Sequence, residues 1–154
     1  MQRKIEDCVL LYVEDDDASA YLMQIALQRS RDASPRLVRV SNAHEAVSFL
    51  MQEPPYLDAP RPDLVLLDLN LPGKGGFDLL QEIKSQGRFQ DLRVVVFTSS
   101  ILPDERTKSL AIGAEDFIHK SLDFEEFVAM AARMCEKMTS EMKITTDKSE
   151  AAAE

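Results

Sequence analysis

Residues 64–73 have the sequence Leu64-Val65-Leu66-Leu67-Asp68-Leu69-Asn70-Leu71-Pro72-Gly73. Four consecutive apolar residues without alternation are typical of a strand buried on both faces, as in a parallel sheet. Asp68 follows directly and is expected at the carboxyl edge of that sheet, where open α/β sheets bind ligands. Because an ionised carboxylate beside a dry core is costly without a cation or hydrogen-bond donors, Asp68 is predicted to have such a partner.

The rest of the chain repeats this alternation of strand and helix. Apolar runs predict central strands at residues 8–13 and 93–97, and shorter strands at 37–40 and 116–118. Helical periodicity, capping residues and Pro103 predict helices at residues 18–30, 43–51, 77–85 and 103–112, and one from residue 124 onward. The fold class is therefore α/β, a doubly wound five-stranded parallel sheet in the order 2-1-3-4-5 with helices on both faces.

The first and last helices carry the most informative apolar faces. In the first, Asp17 is the expected N-cap, and Tyr21, Leu22, Ile25 and Ala26 recur at helical spacing. The last is long, and its final apolar residues are predicted to lie beyond the reach of the sheet: Met134, Cys135, Met138 and Met142. A patch of this kind predicts a homodimer through the last helix. The alternative is that these residues cover the domain's own core or fray.

Length and composition restrict the class of protein. The 154 residues fit one domain, residues 1–142, followed by a polar, alanine-rich tail at 143–154 that is expected to be disordered. A net charge of −9 argues against binding nucleic acid or an anionic membrane. Neither a leader nor a spanning run is evident, and Cys8 and Cys135 are expected as core residues in a reducing compartment. These features predict a cytoplasmic protein.

Polar side chains follow the strands where each one ends. The first strand ends on Glu14 and Asp15, the third on Asp68, the fourth on Thr98 and the fifth on Lys120. In this strand order the first and third strands are neighbours, so their carboxylates should converge and require a cation. Hard oxygen ligands with room for water suit Mg²⁺, and a Lys and a Thr opposite them suit phosphoryl oxygens. Asp68, at the centre, is predicted to be the nucleophile.

Four sequence motifs in this order resemble the receiver domain of two-component response regulators, a CheY-like, flavodoxin-like fold, over residues 7–138. They are Val13-Glu14-Asp15-Asp16, Leu66-Leu67-Asp68-Leu69-Asn70-Leu71-Pro72, Val95-Val96-Phe97-Thr98-Ser99, and Gly113-Ala114 followed by Phe117-Ile118-His119-Lys120. The resemblance implies that a histidine kinase phosphorylates Asp68 and that Mg²⁺ is bound by Asp15, Asp68 and the Asn70 carbonyl, with Glu14 acting through a metal-bound water. It also implies that Thr98 and Lys120 contact the phosphoryl group and that Phe117 is the aromatic switch residue.

Within this family, the proline-rich segment at 53–62 and the form of the Asp68 motif resemble stand-alone response regulators paired with phytochrome-type kinases. No separate output domain is expected, so the signal should pass by protein contact. One departure is Ser121, where the family usually has a proline after a cis bond. Without proline, the bond after Lys120 is either trans or strained.

Two other functions compete with this interpretation. An aspartyl-phosphate phosphohydrolase also has Asp at the end of a parallel strand, but that family has a second acid two residues later, where Asn70 stands here. A receiver-like module could instead bind proteins independently of phosphorylation, although every acidic, hydroxyl and Lys position is present. The expected protein is a phosphoacceptor with slow self-dephosphorylation, not an enzyme.

Overall fold

The structure is a computed structural model that describes residues 4–30, 33–121 and 123–153, with side chains described as far as Thr139. Five strands form one parallel sheet in the order β2-β1-β3-β4-β5, which confirms the predicted fold. The strands are β1 (Val9–Val13), β2 (Arg36–Val40), β3 (Leu64–Leu67), β4 (Val94–Thr98) and β5 (Asp116–His119).

Among the described residues, four α-helices connect the strands and a fifth follows β5, so that helices cover both faces of the sheet. They are α1 (Asp17–Ser30), α2 (Ala43–Leu50), α3 (Gly76–Ser85), α4 (Pro103–Ile112) and α5 (Phe124–Ala153). The predicted caps of α2 and α5 are confirmed, since Asn42 accepts a hydrogen bond from the Glu45 amide and Asp123 accepts from the Glu125 amide. Gly113, at a φ of 133°, ends α4 as expected.

The sheet brings the predicted polar residues to one edge. Val13 at the end of β1 pairs with Leu67 at the end of β3, and Leu67 pairs with Val96 of β4. Every residue of these three strands is buried, which accounts for their uninterrupted apolar sequences. The side chains that follow the strands therefore meet where β1 and β3 end together.

The buried face of α1 differs from the prediction. Met23, Ala26 and Leu27 are buried, whereas Tyr21 is 64% exposed and Leu22 is 38% exposed. Both sets of residues have helical spacing, so periodicity alone could not distinguish them. The helix is rotated so that Met23, Ala26 and Leu27 join the same core cluster as α5.

The start of α1 also differs from the prediction. Asp16, not Asp17, accepts the capping hydrogen bonds, from the Ser19 amide at 2.9 Å and from the Ser19 hydroxyl at 2.7 Å. Asp17 instead forms an ion pair with Arg39 of β2, at 2.8 Å. Of the two adjacent acids, Asp16 therefore caps the helix and Asp17 pairs with the neighbouring strand.

The expected position of the α5 side chains is wrong for three of the four residues. Met134, Cys135 and Met138 are at most 2% exposed and belong to the domain's own core. The core reaches them because a 3-10 helix at Ile5–Asp7 precedes β1 and buries Ile5 in the same cluster. The side chain of Met142 lies outside the described residues. The predicted disorder of residues 143–154 overlaps the backbone of α5 and stays a prediction, as does the homodimer.

Two further segments differ in the geometry of a peptide bond. The proline-rich segment after α2 is mainly turns and contains a cis bond at Pro54–Pro55. Among the described residues, the bond between Lys120 and Ser121 is not cis, so of the two alternatives the trans form is present. Within the described residues, every helix is too short or too polar to cross a bilayer.

Candidate functional site

Three carboxylates converge where β1 and β3 end. Glu14 follows β1 and Asp68 follows β3, and the Asp68 amide donates to the Val13 carbonyl at 3.2 Å. One oxygen each of Glu14, Asp15 and Asp68 lies within 4.8 Å of the other two. Glu14 and Asp68 are buried, with 0% and 4% of their surfaces exposed, whereas Asp15 is exposed. Two of the three charges are therefore largely removed from water, and the third lies at the entrance of the site.

Lys120 connects two of these carboxylates. Its Nζ lies 3.2 Å from Oδ2 of Asp68 and also donates a short hydrogen bond to Oε1 of Glu14. Burial works to lower the pKa of the ammonium, but the hydrogen bond to Glu14 and the charges of Asp68 and Glu14 outweigh it, so the pKa of Lys120 is raised. Lys120 is thus a fixed cation beside the proposed nucleophile.

Glu14 is held by three donors. Its Oε1 accepts from Lys120 and from the Tyr12 hydroxyl, the latter at 3.0 Å, and its Oε2 accepts from the Asp16 amide at 3.3 Å. Burial raises the pKa of Glu14, and the neighbouring Asp68 adds to this effect while Lys120 opposes it. Burial, together with the Glu14 charge, also raises the pKa of Tyr12, so this phenol remains a hydrogen-bond donor at neutral pH.

Thr98 lies at the end of β4 and is fully buried. Its carbonyl accepts from the Lys120 amide at 2.7 Å, so Thr98 fixes the backbone of the residue that contacts Asp68. The hydroxyl of Thr98 accepts from the Ser100 amide at 3.2 Å and keeps its own proton available for another acceptor. Thr98 therefore stands beside Lys120, as its position in the sequence suggested.

Asn70 and Phe117 are the remaining two predicted site residues. The Asn70 amide donates to Oδ1 of Asp68 at 3.0 Å, which orients the carboxylate. Phe117 of β5 is half-buried and packs against the core cluster on the opposite face of the sheet from Tyr12. Its carbonyl accepts from Arg106 of α4, at 3.0 Å. The metal contact expected for the Asn70 carbonyl and the switching role of Phe117 stay predictions.

The turn after Asp68 packs tightly against the start of α3. A Cβ atom placed on Gly76 would lie 2.6 Å from the carbonyl oxygen of Asp68 and 2.5 Å from the Cα of Leu69. The Gly76 amide donates to the Leu69 carbonyl at 3.2 Å. Only glycine permits this approach, so α3 and the backbone of Asp68 are positioned together.

The donor set fits a hard divalent cation. Three carboxylates supply anionic oxygens, and at least one of them, Asp15, faces water. Such a cation would offset the mutual repulsion of these acids, which Lys120 alone offsets only in part. Phosphoryl transfer requires a nucleophilic oxygen, a bound cation and a positively charged side chain such as lysine, placed close together.

The main residue that the sequence reasoning missed is Tyr12. The available signal was the strand period of two residues, because Tyr12 and Glu14 are two apart and lie on the same face of β1. A tyrosine in an otherwise aliphatic strand, directly below a buried acid, predicts a hydrogen bond of this kind.

Comparison with known proteins agrees with this geometry. The family described as the response regulator receiver domain matches residues 10–132. The response regulator Rcp1 of Synechocystis sp. is 35% identical over 122 residues, which cover 79% of this chain and 82% of Rcp1.

Two solved structures are also similar. The phosphorylated cyanobacterial phytochrome response regulator RcpA has a TM-score of 0.80 and 35% identity, covering 88% of this chain and 96% of RcpA. The Mn²⁺-bound form of Rcp1 has a TM-score of 0.75 and 32% identity, covering 84% of this chain and 92% of that one. The resemblance to phytochrome-associated response regulators is confirmed, and the chain belongs to the family of response regulator receiver domains.

Proposed function

We propose that this protein accepts a phosphoryl group on Asp68 from a histidine kinase and passes the signal by protein contact. The observation that carries the proposal is the position of Asp68, which has an oxygen of each of two further carboxylates within 4.8 Å and lies 3.2 Å from the ammonium of Lys120. A carboxylate placed in this way can approach phosphorus only if positive charge offsets the repulsion between the two anions.

In the proposed step, an Asp68 oxygen forms a bond to phosphorus while the bond from phosphorus to the imidazole nitrogen of a phosphohistidine breaks. The nitrogen keeps the electron pair of that bond. Lys120 and the Thr98 hydroxyl are proposed to donate to the phosphoryl oxygens. Asp15, Asp68 and the Asn70 carbonyl would hold Mg²⁺, with Glu14 acting through a water, and the bound ion would supply the remaining positive charge.

Two arguments favour Mg²⁺: the site offers oxygen ligands, which Mg²⁺ prefers, and Mg²⁺ is the usual metal ion in enzymatic phosphoryl transfer. The similar Rcp1 structure is a Mn²⁺-bound form, and Mn²⁺ prefers similar oxygen ligands, so this relative supports a divalent cation at the same place. The similarity to RcpA, a phytochrome response regulator, favours a phytochrome-type histidine kinase as the donor.

The phosphoryl group is proposed to leave slowly, by self-dephosphorylation. The chain is then a stoichiometric acceptor and not a phosphohydrolase, because Asn70 occupies the place where that alternative has its second acid. Release of many phosphates per protein with excess donor would support the phosphohydrolase. Unchanged partner binding by an Asp68→Asn variant would support the alternative of a phosphorylation-independent binding module.

A homodimer through α5 remains part of the proposal, although Met134, Cys135 and Met138 are buried within the domain and do not supply the surface. Light scattering on the intact protein, with and without phosphodonor, tests it. A dimer in either state is expected, and a monomer in both states would remove this part.

The proposal is tested by incubating the protein with a small-molecule phosphodonor and measuring its intact mass. We expect one added phosphoryl group in the presence of Mg²⁺ and almost none with a chelator. Asp68→Asn should take up none, and Asp78→Asn, which removes a surface acid of α3, is the matched control and should be labelled normally. Full labelling of Asp68→Asn would refute the assignment.

A further inference from the structure

The hydroxyl of Tyr12 lies beneath the acidic site, on the side away from solvent. Tyr12 is 0% exposed, and its ring packs in the core with a distance of 6.2 Å between its centroid and that of Phe97. The hydroxyl donates to Oε1 of Glu14 at 3.0 Å, and this hydrogen bond is buried. The position of the phenol is thus fixed by packing, and its one proton points at a residue of the site.

Glu14 depends on its protein donors because it has no access to solvent. Its Oε1 shares Lys120 with Asp68, so this ammonium cannot be assigned to Glu14 alone. The Asp16 amide reaches the other oxygen at 3.3 Å, a longer contact. Tyr12 is therefore the donor to Oε1 that keeps the carboxylate in place if Lys120 moves toward another anion.

We propose that Tyr12 is a positioning residue of this site, whose hydroxyl fixes the Glu14 carboxylate and thereby strengthens the binding of a divalent cation. This inference rests on the proposed function, because Glu14 takes part in that site only if the site binds a cation. Tyr12 touches neither the cation nor the phosphoryl group. It acts through Glu14, which would itself act through a metal-bound water, by a hydrogen bond of the kind that orients the groups around metal sites in other proteins.

The test is the Mg²⁺ affinity of the unphosphorylated protein, measured by calorimetry. Tyr12→Phe removes one oxygen and keeps the ring, and it should weaken binding about 10-fold, the lower limit for loss of an outer-shell partner. Tyr56→Phe, the same change in a tyrosine that packs against Phe49, is the matched control and should bind Mg²⁺ like the unmodified protein.

A double-mutant cycle separates this role from a general structural one. In a Glu14→Gln background, Tyr12→Phe should cause almost no further loss, because the group through which it acts has been changed. Unaltered affinity of Tyr12→Phe, or a full additional loss in the Glu14→Gln background, would overturn the inference. Urea unfolding of each variant establishes that folded proteins are compared.

A second measurement uses the unmodified chain and does not depend on the folding of any variant. With ¹³C-labelled tyrosine, the resonance of the Tyr12 ring carbon that bears the hydroxyl should shift as Mg²⁺ is added, while that of Tyr56 should stay constant. An unmoved Tyr12 resonance in a protein that binds Mg²⁺ would contradict the inference. Absence of both Mg²⁺ binding and Asp68 labelling would instead mean that the proposed function fails.

Discussion

Nζ of Lys120 lies 3.2 Å from Oδ2 of Asp68 and also bonds to Glu14, so one ammonium neutralises part of two buried carboxylates. Removing one partner of a buried ion pair lowers the free energy of unfolding by more than the pair itself contributes to it, because an uncompensated charge remains buried in the protein.

Lys120→Met is therefore expected to lower the free energy of unfolding by about 3 kcal/mol in the presence of a chelator. Saturating Mg²⁺ should recover much of this loss, because a bound dication replaces the missing ammonium. Urea unfolding with and without Mg²⁺ measures both values, and Lys108→Met, at an exposed lysine, is the control. Equal losses in chelator and in Mg²⁺ would contradict the shared role of Lys120 and the cation.

Gly76→Ala should disturb the site from the side of α3. The new methyl group would lie 2.6 Å from the Asp68 carbonyl oxygen, and forcing such a contact typically costs about 1–3 kcal/mol. Both the stability and the phosphorylation of Asp68 should decrease. Gly75→Ala is the matched control, because no atom other than those of residue 75 and its two chain neighbours lies within 4 Å of the added methyl. Equal stability of the two variants in urea would contradict this prediction, because it would mean that the backbone around Gly76 and Asp68 can move apart to accept the methyl group.

The relative effects of the acidic residues test their assigned roles. Asp15→Asn should weaken Mg²⁺ binding more than Glu14→Gln, because a direct charged ligand contributes more than a residue acting through water. Calorimetry at constant pH measures both. Equal losses would argue against the proposed division between direct and water-mediated contacts.

Far from the site, Glu115 links the starts of β4 and β5 to α5. It accepts two hydrogen bonds of 2.6 Å from Arg93, and although burial works to raise its pKa, Arg93 and Lys137 lower it below the ordinary value of 4.5. A lowered folded pKa means that the stability is present above the unfolded pKa and is lost as the pH falls through the folded one.

Glu115→Gln should accordingly reduce the free energy of unfolding by about 1 kcal/mol at neutral pH, and the difference should shrink as the pH falls through the lowered folded pKa of Glu115. Glu53→Gln, at an exposed position, is the control. Urea unfolding at several pH values checks the prediction, and a difference that persists unchanged in acid would contradict it.

Phosphorylation is expected to act through Thr98 and Phe117. The Thr98 hydroxyl accepts from the Ser100 amide and can donate its proton to a phosphoryl oxygen, which draws the segment after β4 toward Asp68. Phe117, half-buried in the free protein, should then turn inward. NMR spectra of the free and beryllofluoride-bound protein should differ most at residues 98–112 and at Phe117. Changes confined to other regions would refute this switch.

The fold and most of the site could be predicted because they depend on strand ends. Asp68 follows four residues that are buried on both faces, and the parallel order places Glu14, Thr98 and Lys120 at the same edge. Details that depend on contacts between neighbouring elements could not be predicted from the sequence. Asp17 pairs with Arg39 of another strand while Asp16 caps α1, and Met138 lies in a core cluster that includes Ile5 of the 3-10 helix before β1.

The central claim, that Asp68 carries the phosphoryl group, is tested most directly by locating that group chemically. Borohydride reduces an aspartyl phosphate to homoserine, and peptide mass spectrometry after treatment with phosphodonor and Mg²⁺ identifies the converted residue. We expect homoserine at position 68 and intact Asp15 and Asp78. Homoserine at another aspartate, with position 68 unchanged, would contradict the account.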